Sequence, residues 1–296
     1  MNRLFVLIGC FTLLLSSLPT QHSSLLRGQE PKKEEPKKEE PPAEKGIKVR
    51  WFGQSYFQIE SAEGRKIVID PHAIPAFGRQ STTAEFILVS HPHDDHSLIE
   101  IIEPPAGAKK FNEGDVLRGV VETKTGKQEW KVIDEKRGNI RVRNVATYHD
   151  TMNGLQRGKN SIWIIEMNGL VFCHLGDLGH ELSAEQVKAV GKIDVLMISI
   201  GGIYTINGEQ AQAVMKQLKP RLYALPMHYG VPGYDELAGP EEFLDGVKKD
   251  DIKKTPLTNE LVIPVDTKFD APKIVLLGWK KAEVKKPEDK KPPEKK

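Results

Sequence analysis

The segment His91-Pro92-His93-Asp94-Asp95-His96 determines how the rest of the chain is interpreted. It follows directly after Glu85-Phe86-Ile87-Leu88-Val89-Ser90, a short apolar run that is typical of a buried central strand. Its potential metal ligands, in the spacing H-x-H-x-D-H, are His91, His93, Asp95 and His96. Alternate residues of an extended loop face the same way, so the first two histidines can bind one ion while the following turn directs the others toward a second. Imidazole and carboxylate suit zinc, and also iron or manganese.

Three further candidate ligands also come directly after apolar, strand-like runs. His149 follows the run at 140–148, Asp177 follows the run at 170–174, and His228 follows the run at 222–226. Strand ends of α/β proteins meet at one edge of a sheet, where binding sites are built. The alternative for each residue alone is a structural role, and the alternative for residues 91–96 is a polar surface loop or helix cap.

The pattern of elements predicts an α/β fold with two mixed layers and helices outside. The first half reads mainly as strands, at 47–52, 56–60, 66–70, 85–90, several within 115–148, and a hairpin at 161–167 and 170–174 with a type I′ Asn-Gly turn. A helix is expected to begin within 97–103. The second half alternates helices at 183–190, 207–219 and from 239 with strands at 193–200, 221–226 and 274–279.

Taken in order, the candidate ligands resemble the five-motif signature of the metallo-β-lactamase superfamily. The series is Asp70, His91-x-His93-x-Asp95-His96, His149, Asp177 and His228. Two further stretches, 51–59 and 201–205, are similar to the single-domain metal-dependent hydrolases akin to ascorbate-phosphate lactonases. The resemblance spans roughly 47–279. It implies a four-layer αββα sandwich with two metal ions in the cleft between the sheets.

The resemblance also assigns a role to each ligand. The first ion would be held by His91, His93 and His149, and the second by Asp95, His96 and His228. Asp177 would bridge both ions, and Asp70 would orient the ligand loop. Many relatives have His where this chain has Gln54. Diiron relatives that reduce oxygen usually have Glu at position 93, so His93 argues against redox chemistry.

The implied function is that of a dinuclear metal-dependent hydrolase. It would act on an ester, a lactone or a phosphodiester through a metal-bridging hydroxide, with two divalent ions, Zn²⁺ first and Mn²⁺ or Fe²⁺ as alternatives. The residues predicted to act in catalysis are Asp95, Asp177, His180 and Tyr204. The alternative function is that of a non-catalytic metal-binding envelope protein that binds a ligand or a partner.

Other polar side chains near the motifs have open roles. Tyr229 is a further candidate to hold substrate or donate a proton, with packing as the alternative. Arg79, Arg157 and Lys159 lie in loops that could bind an anionic group, although a solvated charge is the default. His72, His174 and Cys173 are expected to be structural.

Composition bounds the class of protein. The 296 residues carry 43 Lys and Arg against 41 Asp and Glu, a net charge of +2 that argues against nucleic-acid binding. Two cysteines exclude a disulfide scaffold. With nucleic acid disfavoured, the implied hydrolase function makes a small-molecule substrate the expected partner, and the candidate anion-binding residues above would suit an anionic one.

The two ends differ from the middle of the chain. Residues 1–24 match a signal peptide, and Leu7-Ile8-Gly9-Cys10 within them resembles a lipobox. We expect residues 25–46 to form a disordered Lys/Glu/Pro linker, 47–279 the hydrolase domain, and 280–296 a disordered Lys-rich tail. We therefore expect export to the periplasm, the cell envelope or the medium, with membrane contact only through the signal or a lipid anchor on Cys10.

Overall fold

The computed structural model describes residues 46–268 and 271–280, which hold two large sheets. The strands are β1 Gly46–Trp51, β2 Phe57–Glu60, β3 Lys66–Ile69, β4 Thr82–Thr83, β5 Phe86–Val89, β6 Ile102–Glu103, β7 Val116–Arg118, β8 Val120–Glu122, β9 Gln128–Trp130, β10 Asp134–Arg137, β11 Ile140–Tyr148, β12 Lys159–Met167, β13 Leu170–His174, β14 Val195–Ser199, β15 Tyr223–Met227, β16 Ile252–Thr255, β17 Glu260–Pro264 and β18 Lys273–Leu277. The α-helices are α1 Ala184–Val190, α2 Gly208–Leu218 and α3 Glu241–Leu244.

The first sheet has the order β17-β1-β2-β3-β5-β7. The predicted antiparallel meander β1–β2–β3 is confirmed. Its side chains alternate because successive residues of a strand point to opposite faces. In β3, Ile67 and Ile69 join the core shared with the second sheet, whereas Val68 joins a smaller cluster on the outer face.

The second sheet has the order β10-β11-β12-β13-β14-β15-β18-β16, antiparallel up to β13 and parallel from there. The predicted hairpin β12–β13 turns at Asn168 and Gly169, with φ of 49° and 79°. Both values are positive, as a type I′ turn requires. Strands β13 to β15 are almost entirely buried, so their apolar runs cover both faces.

Helices α1 and α2 begin where the sequence predicts. Ser183 and Gln186 form a capping box at α1, and Asn207 and Gln210 form one at α2. The two helices pack against β11 and β14 of the second sheet. The helix expected from Gly239 is a single turn, α3.

The outer face of the first sheet is covered differently. The helix predicted within 97–103 is wrong, because this segment is a 3-10 turn at Ile99–Ile101 followed by β6, which pairs with β4. Ile101 and Ile102 pack on the outer face of the first sheet. In the described part of the chain, the fourth layer therefore consists of a short turn and a two-stranded ribbon rather than an α-helix.

The predicted signal peptide, most of the linker and most of the tail lie outside the described residues. Gly46, assigned to the linker from sequence, is the first residue of β1 and pairs with Pro264. The last strand ends at Leu277. None of the helices within 46–268 and 271–280 is long and apolar enough to cross a membrane.

Candidate metal centre

The predicted ligands come together at one edge of the sandwich, each just beyond a strand. Residues 91–96 follow β5, His149 follows β11, Asp177 follows β13, and His228 follows β15. Their ligand atoms form two groups, each with all atoms within 4.8 Å of one another: His91, His93 and His149 in one, and Asp95, His96, Asp177 and His228 in the other. The structure thus brings together all seven ligands that the sequence predicts.

Asp177 lies between the two groups. Its Oδ2 atom is 4.0 Å from Nε2 of His91 and 3.2 Å from Nε2 of His149 in the first group. The same oxygen is 3.1 Å from Nε2 of His96 and 3.0 Å from Nε2 of His228 in the second. A single carboxylate oxygen therefore faces imidazoles of both groups, as a bridging ligand must.

The residues present fit a pair of divalent cations. Nε2 of His91 and Nε2 of His96 are buried, and neither has a hydrogen-bond partner. Their Nδ1 atoms are occupied, since Nδ1 of His91 is 2.9 Å from Ser90 Oγ and Nδ1 of His96 is 3.1 Å from Asp70 Oδ2. Both rings thus direct Nε2 toward the centre, where it faces the Asp177 carboxylate without a hydrogen bond. Buried nitrogens that lack a hydrogen bond are uncommon unless a ligand uses them.

Asp70 fixes the start of the ligand loop. Its Oδ1 accepts the Ser90 N–H at 2.7 Å, and its Oδ2 accepts the Ser90 hydroxyl at 2.6 Å. The carboxylate is fully buried and its backbone has φ of 46°. Since it also contacts His96, Asp70 links the end of β5 to ligands of both groups, which is the orienting role implied by the resemblance.

Asp177 is held from two sides. Its Oδ1 accepts the Ser55 hydroxyl at 3.2 Å, and its N–H donates to Asn160 Oδ1 at 3.0 Å. The preceding Gly176 has φ of 54°, and a Cβ there would collide with Asn160 and Ser90. The turn therefore requires glycine and leaves Oδ2 facing the histidines.

The charges of the centre are strongly coupled. Burial lowers the pKa of His91 well below its ordinary value, and the nearby His96 adds to this. Burial also opposes charge on His96, but the Asp177 and Asp95 carboxylates outweigh it and raise the pKa of His96 well above its ordinary value. The Asp177 pKa is lowered despite burial, because His228 and His96 stabilise its negative charge. The carboxylates thus stay ionised and favour a cation at the centre.

Gln54 contacts the second group, although it replaces the histidine of many relatives. Its side-chain Nε2 donates to Asp95 Oδ2 at 3.2 Å, and its backbone carbonyl accepts the His228 N–H at 3.0 Å. The side chain is buried and its Oε1 has no hydrogen-bond partner. Gln54 therefore contacts two members of the second group, Asp95 and His228.

A cleft of about 790 Å³ opens onto the centre. The ligands that line it are His93, Asp95, His149, Asp177 and His228, and the other lining residues are Pro92, Asp94, Gln128, Gln156, Arg157, Gly158 and Tyr204. Tyr204, predicted to act in catalysis, is thus in place to touch a substrate. Gln128 and Gln156 were missed from sequence, because neither belongs to a motif.

Other predicted residues have structural roles. The structure does not support the catalytic role predicted for His180, because the backbone occupies both ring nitrogens. Nε2 accepts the Tyr148 N–H at 3.1 Å, and Nδ1 is 2.7 Å from the Glu181 carbonyl. Tyr229 stacks on Trp51 with ring centroids 5.4 Å apart, which agrees with the packing alternative.

The remaining candidates lie away from the cleft wall. Lys159 places Nζ 3.9 Å from the centre of the Trp130 ring, and Arg79 is exposed on a loop. Cys173 is buried in β13, where burial raises the pKa of its thiol to about 12. His72 and His174 are buried and hydrogen-bonded to the carbonyls of Gly53 and Ser55, which agrees with the structural role predicted for them.

Comparison with known proteins agrees with this geometry. The family described as the beta-lactamase superfamily domain matches residues 48–228. The chain belongs to the metallo-β-lactamase superfamily. It is 34% identical over 206 residues to a UPF0173 protein of Pyrococcus furiosus, covering 69% of this chain and 91% of that protein. A UPF0173 metal-dependent hydrolase of Thermoplasma acidophilum is 28% identical, with 67% and 90% covered.

A solved structure shares the fold. A protein of Thermotoga maritima, described as a zinc-dependent hydrolase of the metallo-β-lactamase superfamily, superposes with a TM-score of 0.59 at 27% identity. The match covers 78% of this chain and 98% of the other. Together with the family match, this identifies the chain as a metal-dependent hydrolase with the metallo-β-lactamase sandwich.

Proposed function

We propose that the chain is a dinuclear hydrolase that cleaves an ester, a lactone or a phosphodiester, with two divalent ions that are most simply zinc. One observation carries the proposal: the Oδ2 atom of Asp177 lies within 3.0–4.0 Å of imidazole nitrogens from both ligand groups. A carboxylate in this position can serve two cations at once and offset part of their mutual repulsion.

Bound divalent ions would supply Lewis acidity and lower the pKa of a bound water to near neutrality. The chain's own residues define where the reaction takes place. Asp177 and Asp95 bring negative charge to the centre, and Gln54 and Ser55 fix the orientation of these carboxylates. Tyr204 reaches the same cleft, where its hydroxyl can hold a substrate or donate a proton to the leaving group.

Two measurements on the full chain test the proposal: its metal content, and its activity in a screen of lactones, aryl esters and aryl phosphodiesters. We expect about two ions per chain and turnover in at least one class. Asp177→Asn keeps the shape but removes the charge, so metal should fall toward one ion and activity should be lost. Asp94→Asn is the matched control, because Asp94 lines the cleft but belongs to neither ligand group.

The outcomes separate the two functional readings. Two ions and no turnover in any class would favour the non-catalytic metal-binding protein. An Asp177→Asn variant with two ions and full turnover would contradict the dinuclear assignment itself. Export and a small-molecule substrate are also part of the proposal, supported by the pattern of residues 1–24 and by the size of the cleft.

A further inference from the structure

One wall of the cleft is a preorganised loop that follows the ligand His149. The buried carboxylate of Asp150 accepts four backbone N–H groups, at 2.7–3.0 Å, from Met152, Gly154, Gln156 and Arg157. The loop closes on itself, since the His149 N–H donates to the Gly158 carbonyl at 3.0 Å. A loop held by so many bonds presents its side chains in fixed positions at little further entropic cost.

Arg157 extends from this loop to a second loop, 201–206. Its Nη2 donates to the Ile203 carbonyl at 2.9 Å, and its guanidinium lies 5.5 Å from the centre of the Tyr204 ring. It forms no ion pair with any carboxylate in the described part of the chain. A guanidinium has five N–H donors in a planar fork that matches the oxygens of an anion. Arg157 is also the one Lys or Arg among the described residues that line the cleft.

Exposed apolar side chains are concentrated on the two loops that Arg157 connects. Seven large hydrophobic residues are exposed among 46–268 and 271–280, and four of them lie on these two loops: Met152, Leu155, Ile203 and Tyr204. Leu155 is 81% exposed. Ile203 has φ of 60°, a strained value for a β-branched residue that persists only where the surroundings impose it. Such a concentration of exposed apolar surface beside a cleft is typical of a binding site.

From this juxtaposition we infer that the cleft recognises an amphiphilic anionic substrate, with an anionic group on Arg157 and an apolar portion on Leu155, Met152 and Ile203. The inference rests on the proposed hydrolase function and names the substrate class of the same site. The scissile bond lies at the metal centre, so the anionic group of the substrate is separate from the group that is cleaved.

Calorimetry of the zinc-loaded full chain tests the anion contact without any need for turnover. The probes are succinate, adipate and suberate, each compared with the monocarboxylate of equal length: butyrate, hexanoate or octanoate. Both members of a pair can place one carboxylate at the metal ions, so only the second carboxylate distinguishes them. We expect at least one dicarboxylate to bind about tenfold more tightly, the range of a charge-assisted hydrogen bond.

The variants assign that preference to Arg157. Arg157→Gln should abolish it, Arg157→Lys should restore part of it, and Arg79→Gln should keep it, because Arg79 is exposed outside the cleft. Leu155→Ser should remove the gain in affinity from butyrate to octanoate. No preference in the wild type, or a preference that survives in Arg157→Gln, would overturn the inference.

A kinetic arm distinguishes failure of the inference from failure of the hydrolase function. We expect mono-para-nitrophenyl suberate to be cleaved with about tenfold higher kcat/KM than para-nitrophenyl octanoate, mainly through a lower KM. In Arg157→Gln, the two esters should have equal kcat/KM. Equal rates in the wild type would contradict the inference and leave the hydrolase function standing. Failure to cleave either ester or any compound of the wider screen would contradict the hydrolase function, while the calorimetry would still decide the role of Arg157.

Discussion

Asp70→Asn tests how the buried network under the ligands controls the second ion. In the wild type, the Asp70 carboxylate accepts from Nδ1 of His96, so the proton stays on Nδ1 when an ion takes the place of the proton on Nε2. In the variant an amide N–H₂ takes the place of Oδ2, provided that the amide oxygen keeps the bond to the Ser90 N–H. Two donors then face each other, and His96 relieves this by moving its proton to Nε2. The ligand atom is then blocked.

The size of the effect follows from the lost contact. A hydrogen bond to a charged group contributes about 1.5–3 kcal/mol. Since about 1.4 kcal/mol corresponds to a tenfold change in affinity, the second ion should bind roughly 10–100-fold more weakly. This agrees with the range of about 10–100-fold seen when outer partners of metal ligands are changed. The first ion should change much less, because Nδ1 of His91 bonds to Ser90 rather than to Asp70.

Zinc titration against a competing chelator, with elemental analysis, measures both affinities. Asp194→Asn is the control, because Asp194 is also fully buried and accepts from Val171 and Arg221 but contacts no ligand. Both variants should lose about 2 kcal/mol of stability, a fall in Tm of roughly 4–8 °C. Only Asp70→Asn should weaken the binding of the second ion. If its zinc titration matches the wild type, the tautomer argument is wrong.

Three further predictions follow from the described residues and from the sequence. Iodoacetamide at pH 8 should leave Cys173 unlabelled in the native chain and label it in denaturant, because burial raises its thiol pKa to about 12; native labelling seen by peptide mass spectrometry would contradict this. Limited proteolysis should trim both charged ends and leave a core near 46–279 with its metal, whereas loss of folding on removal of 1–45 would show that these residues pack on the domain. Fractionation of the native host should find the protein outside the cytoplasm, and a cytoplasmic chain with an intact N-terminus would contradict export.

The clustering of the candidate ligands could be predicted from sequence because metal-binding residue types leave a local pattern. Residues 91–96 carry four candidate ligands directly after a buried strand, and each remaining ligand also ends an apolar run. The two capping boxes and the Asn168-Gly169 turn could also be predicted from sequence, since each depends on residues within a few positions of one another.

Elements that depend on distant contacts were not predicted. The helix expected within 97–103 does not form, because the Leu98 N–H donates to the Pro71 carbonyl and β6 pairs with β4, and the local sequence does not reveal these contacts. Strand β17 has alternating Leu261 and Ile263, a signal that was available, but only its pairing with β1 shows that it forms the edge of the first sheet.

The residues that line the cleft were even harder to predict from sequence. Gln128 and Gln156 have no neighbours of matching chemistry in sequence, and they reach the cleft only through the positions of β9 and the loop after His149. The structure gives no support to the catalytic role predicted for His180, for a similar reason. Nearness to Asp177 in sequence placed it in the right region, but the Tyr148 and Glu181 backbone occupies its ring.

The two loops that contribute Arg157 and Tyr204 to the cleft, 150–158 and 201–206, contain none of the seven candidate metal ligands. Substitutions at Met152, Leu155 or Ile203 can therefore alter what the cleft accepts while the network of Asp70, Ser55 and Gln54 remains intact. Divergence within the family can then proceed by drift in these loops, so that homologues with the same metal centre acquire different substrates in a few steps. Sorting homologous sequences by these two loops, rather than by overall identity, should group them by substrate.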